Sequence, residues 1–116
     1  MLRVGLVGSG FMARTHLERY RSMDDARVVA VASPNTAADF VAEHGLDADT
    51  FEDATTMMDA DVDAVDVCSP TPTHRPLVEA AAARDLDVLC EKPIALTLED
   101  ANAIASAAAN AGITLM

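Results

Sequence analysis

Leu2-Arg3-Val4-Gly5-Leu6-Val7-Gly8-Ser9-Gly10-Phe11-Met12-Ala13 is the stretch on which the fold turns. Leu2 to Val7 is a short, mostly aliphatic run stopped by Gly8-Ser9-Gly10, the pattern of a buried strand ending in a tight turn. Phe11 to Met23 follows as a helix. The same alternation repeats down the chain. Arg27 to Ala32 is the next strand, and Pro34 after Ser33 opens a helix that closes at His44-Gly45. A weak strand near Asp49 to Phe51 leads to a short helix with Asp53 as N-cap. Val62 to Cys68 is a strong strand, followed by a Pro/Thr-rich turn and a helix ending near Arg84. Leu86 to Cys90 is a fifth strand. Thr97, with Asp100 in capping-box position, starts a long Ala-rich helix that closes at Gly112, and Ile113 to Met116 begins a sixth strand. Strands apolar on both faces, alternating with helices, predict a doubly wound α/β fold with a mainly parallel six-stranded sheet.

Gly8 to Ala13 fits G-x-G-x-x-G/A in the one context that gives this pattern meaning, the turn from a first strand into a first helix. The first glycine permits the tight turn. The second lets backbone N–H groups approach a pyrophosphate, and the third small residue lets helix and strand pack closely. The positive end of the helix faces the phosphates. This predicts a Rossmann fold holding a dinucleotide, with Gly8, Gly10, Phe11 and Met12 at the pyrophosphate. At the end of the second strand, where NAD binders carry an acid, the chain has Ser33, then Pro34, Asn35 and Thr36. No carboxylate stands at that position to repel a 2′-phosphate, and no arginine stands beside it to hold one. Ser33 and Asn35 are therefore the expected ribose contacts, NAD or NADP is the expected cofactor, and NADP is slightly favoured. Ser33 also suits an N-cap.

Composition narrows the partners. The 116 residues are 51% hydrophobic, enough for a core, and carry a net charge of −11, which disfavours nucleic acid and anionic membranes. Asp outnumbers Glu, and Lys92 is the only lysine, so surface solubility is not its purpose. This balance fits a salt-loving organism and an acidic protein of a GC-rich genome equally. No run approaches a membrane span or a signal peptide, and two cysteines are too few for a disulfide framework, so the expected setting is the cytoplasm. Cys68, Cys90 and nearby His74 lack zinc-like spacing; the cysteines read as small strand residues and no metal is expected.

Cys68-Ser69-Pro70-Thr71-Pro72-Thr73-His74 leaves the fourth strand, and Cys90-Glu91-Lys92-Pro93 leaves the fifth. With Gly8-Ser9-Gly10 and His16, these segments resemble the nucleotide-binding half of the Gfo/Idh/MocA oxidoreductases, a family of sugar and inositol dehydrogenases. The resemblance runs the length of the chain, and Glu-Lys-Pro is its most specific element. It implies that Lys92 assists proton transfer at the reacting hydroxyl or carbonyl and that Glu91 contacts the nicotinamide-side ribose. It also implies that Ser69, Pro70 and Thr71 stand near the nicotinamide, with His74 matching the family's nearby histidine. Thr71 departs from the usual asparagine. His16 suits packing or capping better than chemistry. An ammonium fits the residue type the reaction needs, since hydride leaving an alcohol carbon requires the hydroxyl proton to be stabilised or accepted.

The expectation is therefore one NAD(P)-binding domain over residues 1–116, from an oxidoreductase acting on a sugar or polyol, with the family's substrate domain outside this chain. The rival reading is a non-catalytic dinucleotide-binding module or sensor. Glu91-Lys92-Pro93 favours the enzyme, because a sensor has no need of a proton-handling lysine. An exposed face and the edge at Ile113 to Met116 predict a homo-oligomer.

Overall fold

The structure, a computed structural model, describes residues 1–116. Five strands form one sheet: β1 (Leu2–Val7), β2 (Ala26–Ala32), β3 (Asp49–Phe51), β4 (Ala64–Val67) and β5 (Asp87–Cys90). Their order is β3-β2-β1-β4-β5 and every pairing is parallel. The connecting helices are α1 (Phe11–Tyr20), α2 (Ala37–His44), α3 (Ala54–Met58), α4 (His74–Ala82) and α5 (Leu98–Ala111), with a 3₁₀ turn at Thr71–Thr73. None is long and apolar enough to cross a membrane.

The doubly wound α/β architecture is as expected, with one strand fewer. Ile113 to Met116 lies along β5 in parallel but forms only an isolated bridge, Val88 to Leu115. Val88 N–H donates to Thr114 O at 2.9 Å and Cys90 N–H to Met116 O at 2.8 Å. The alignment is that of a sixth strand, but a single residue pair meets the ladder pattern. The opening of α2 also differs. Asn35 takes a left-handed φ of 62°, so no helix propagates from Pro34, and α2 begins at Ala37. The N-cap of α2 is therefore Thr36 and not Ser33, whose carbonyl accepts from the Thr36 and Ala37 N–H groups at 3.4 and 3.3 Å in the turn before the helix.

Each face of the sheet has its own core. Leu6, Val28 and Val31 pack with Ala13 and Leu17 of α1 and Ala37 and Phe40 of α2. On the other face Val65, Val67 and Val88 meet Met57, Val78, Ala81 and Ile104 from α3, α4 and α5. Asp53 and Thr97 cap α3 and α5, accepting from Thr56 N–H and Asp100 N–H, both at 3.1 Å. Asp100 also pairs with Arg75, joining α5 to α4. On the α1 side, Leu2, Val4, Tyr20, Leu89 and Met116 line an apolar depression of about 290 Å³ where β5 has no helix above it.

Candidate cofactor site

The order of the strands makes the site. Chain direction away from β1 reverses between β2 and β4, and the carboxyl ends of β1 and β4 lie side by side, Val7 opposite Val67. Open parallel sheets bind ligands at such a reversal. Here the cleft has a volume of about 430 Å³ and is lined by Gly8, Ser9 and Gly10 after β1, Ser33 and Pro34 after β2, and Cys68, Ser69 and Pro70 after β4.

The two glycines differ in what they require. Gly8 has φ 110°, and a β-carbon there would stand 2.9 Å from the carbonyl oxygen of Cys68, so the turn itself demands glycine. Gly10 has an ordinary φ of −88°, and a β-carbon on it would meet no protein atom within 4 Å. That empty space lies at the N-terminus of α1, which has no capping side chain and no acid in its first turn. A cradle that the protein does not fill, at an uncapped helix end, fits the phosphates of a dinucleotide. Ala13 is fully buried against β1 and β2, as the motif requires. Phe11 is 74% exposed at the mouth and Met12 is half-buried.

Ser33 forms a triangle of hydroxyls: its Oγ is 3.1 Å from Ser9 Oγ and 2.7 Å from Thr36 Oγ1, and Ser9 and Thr36 are 2.8 Å apart. Glu52, just after β3, accepts from the Asn35 N–H at 2.8 Å, so a carboxylate stands beside the turn that follows β2. Local sequence spacing hides this contact, because it comes from the pairing of β2 with β3.

After β4, Ser69 Oγ is 2.6 Å from Thr73 Oγ1, which donates to Pro70 O at 2.6 Å, fixing the Ser69-Pro70-Thr71 turn. His74 is 1% exposed, with Nε2 3.0 Å from Ser69 O and Nδ1 3.1 Å from Ile94 O. It straps that turn to the loop after β5 from beneath and does not face the cleft. Glu91 begins that loop, its N–H donating to Val67 O at 3.0 Å. The Lys92–Pro93 peptide is cis and Lys92 is exposed.

A buried polar cluster lies under Glu91. Asp66 on β4 is 0% exposed and accepts from Tyr20 Oη at 2.9 Å. His16 Nδ1 lies 2.8 Å from the same carboxylate, and its Nε2 lies 2.9 Å from Glu91 Oε1. Burial pulls the His16 pKa down, but the hydrogen bonds and charges of Asp66 and then Glu91 outweigh it, and the net shift is upward. Burial, then the Asp66 charge, pushes the Cys68 and Tyr20 pKa values up. Burial likewise lifts Cys90 to about 11. The donor atoms of His16, Asp66 and Cys68 lie within 4.8 Å of one another and are linked by hydrogen bonds. Asp66 and Tyr20 escaped the sequence reading. The available signals were an acid inside an apolar strand and a tyrosine one helical turn beyond His16.

Residues 2–116 match the family profile described as "Oxidoreductase family, NAD-binding Rossmann fold", Gfo/Idh/MocA. The chain belongs to that family. This Gfo/Idh/MocA domain is 38% identical over 113 residues to D-apiose dehydrogenase of Paraburkholderia graminis, covering 96% of the chain and 30% of that protein. It is 42% identical over 102 residues to inositol 2-dehydrogenase of Burkholderia cenocepacia, covering 84% of the chain and 30% of that enzyme. The chain thus spans about 30% of the length of the curated relatives it matches. Among solved structures, an oxidoreductase from Agrobacterium radiobacter in complex with NAD+, L-tartaric acid and magnesium superposes with TM-score 0.93 at 30% identity, over 99% of the chain and 34% of that structure.

Proposed function

We propose that this chain is the cofactor domain of an NAD(P)-dependent oxidoreductase that acts on a CH–OH group of a sugar or polyol. The observation that carries the proposal is that two features lie at the carboxyl ends of the strands flanking β4: the unfilled cradle at Gly10 after β1 and the Glu91-Lys92-Pro93 loop after β5. When bound, the nicotinamide supplies the hydride acceptor or donor. Gly10, Phe11 and Met12 would take the pyrophosphate, while Ser33 and Asn35 would meet the adenosine-side ribose. Ser69, Pro70, Thr71 and Glu91 would border the nicotinamide half, with His74 supporting the turn. Lys92, exposed at the carboxyl edge of the sheet, is the group for proton transfer at the substrate oxygen. The sugar dehydrogenase names of the relatives support the substrate class. A cytoplasmic setting suits a nicotinamide cofactor and two free thiols.

Calorimetry with NAD and NADP tests the reading. The chain should bind at least one of them, and Gly10→Val should abolish binding by filling the cradle. Unchanged affinity in Gly10→Val would remove the basis of the assignment.

A further inference from the structure

We infer that His16 is a positioning residue for Glu91: anchored on Asp66 and Tyr20, its protonated ring holds the Glu91 carboxylate against the start of the Lys92 loop and releases it on losing a proton. This rests on the cofactor reading above only for its consequence, not for its geometry.

One end of the chain of contacts is fixed. A fully buried carboxylate is tolerated only when paired and hydrogen-bonded, and Asp66 has three partners: Tyr20 Oη at 2.9 Å, His16 Nδ1 at 2.8 Å and the Cys68 thiol at 3.4 Å. The other end lies on a loop. Glu91 Oε1 meets His16 Nε2 at 2.9 Å, and Glu91 Oε2 accepts the Lys92 N–H at 3.0 Å, so one carboxylate spans the ring and the backbone of the lysine. Both ring nitrogens therefore face carboxylates. Only an imidazolium donates from both; a neutral ring presents a lone pair to one of them. Asp66 keeps its other donors when that happens and stays in place. Glu91 has no second side-chain donor, so it is the carboxylate that moves.

The groups around the ring agree with this. Asp66 and Cys68 face it from β4 and its end, Glu91 comes from the end of β5 with Cys90 beside it, and Tyr20 and Arg19 come from α1, the helix that carries His16. Two carboxylates contact the ring and no cation does, and the His16 pKa is raised accordingly.

Amide hydrogen exchange at Lys92, corrected for the intrinsic pH dependence, reads the tether directly, while NMR follows the His16 ring. In the 116-residue chain, Lys92 protection should fall about tenfold as pH rises through the ring's own NMR titration, the loss of one charge-assisted hydrogen bond. His16→Gln should flatten that profile. Glu91→Gln, a change at a half-buried surface position, should lower the His16 midpoint and also abolish the step. NADH affinity, by fluorescence, should fall with the same midpoint in the wild type and lose its pH dependence in His16→Gln. A Lys92 profile that ignores the ring's titration, or a step that survives in His16→Gln or Glu91→Gln, would overturn the inference. Absence of dinucleotide binding at every pH would overturn the proposed function instead, and the exchange measurements would still decide the tether.

Discussion

Gly8 and Gly10 look equivalent in the sequence, two glycines of one motif, yet only Gly8 is required by the turn. Gly8→Ala forces a β-carbon into a left-handed position against the Cys68 carbonyl, so urea unfolding should show a loss of about 1–3 kcal/mol. Gly10→Ala should change stability by no more than about 1 kcal/mol, the range for an N-cap position, and its effect should fall on ligand affinity. The ribose position gives a second residue-scale expectation. Ser33→Asp should shift preference toward NAD, because a carboxylate repels a 2′-phosphate. Glu52→Gln should shift it toward NADP, because the acid beside Asn35 is removed. The ratio of NAD to NADP dissociation constants checks both, and no change in either variant would place the ribose elsewhere. The places of the glycines, Ser33 and Glu91-Lys92-Pro93 at the carboxyl ends of β1, β2 and β5 were legible because they depend on local signals: spacing, strand ends and residue type. Glu52 and Asp66 were not, because each acquires its role from a residue far away in the chain, Asn35 and His16 respectively.

At the scale of elements, the alternation of apolar runs with capped helices was enough to place all five strands and five helices in order. The errors fell where one residue's backbone decides. Asn35 in the left-handed region delays α2 by a turn's opening, and Ile113 to Met116, aliphatic like a strand, meets β5 at a single pair. The packing of α1 on β4 carries a pH dependence. Folding raises the His16 pKa above its ordinary 6.5 through Asp66 and Glu91, which outweigh burial. A raised folded value means that the stabilisation is complete below 6.5 and is lost as pH rises through the folded value. Asp63 works in the opposite window. Its hydrogen bonds from Arg3 lower it to about 2, so its contribution is present above 3.8 and lost as pH falls toward 2. Urea midpoints should therefore be highest in the mildly acidic range and decline into the alkaline one, and the alkaline decline should be shallower in His16→Gln. An equal decline in the variant would assign it to general acidic repulsion.

The molecule as a whole presents a cleft at one edge of its sheet and an apolar depression along the α1 side of β5. Lys92 is exposed on the loop after β5, outside the residues that line the cleft, so we expect the 116-residue chain to bind cofactor without oxidising sugars or polyols. Measurable dehydrogenase activity would contradict this. Leu2, Leu89 and Met116 leave apolar surface exposed around the depression. The net charge of −11 opposes the approach of two such surfaces, and salt weakens that opposition. Light scattering should show self-association growing with ionic strength, and a monomer at every salt concentration would refute it. The same salt acts unevenly inside the protein. Mobile ions quieten exposed carboxylates within a few ångströms of solvent, but they do not reach Asp66, which has no exposed surface. The hold of Asp66 on His16 is thus insulated from dissolved salt, and the histidine's titration midpoint should drift far less with ionic strength than those of the surface acids.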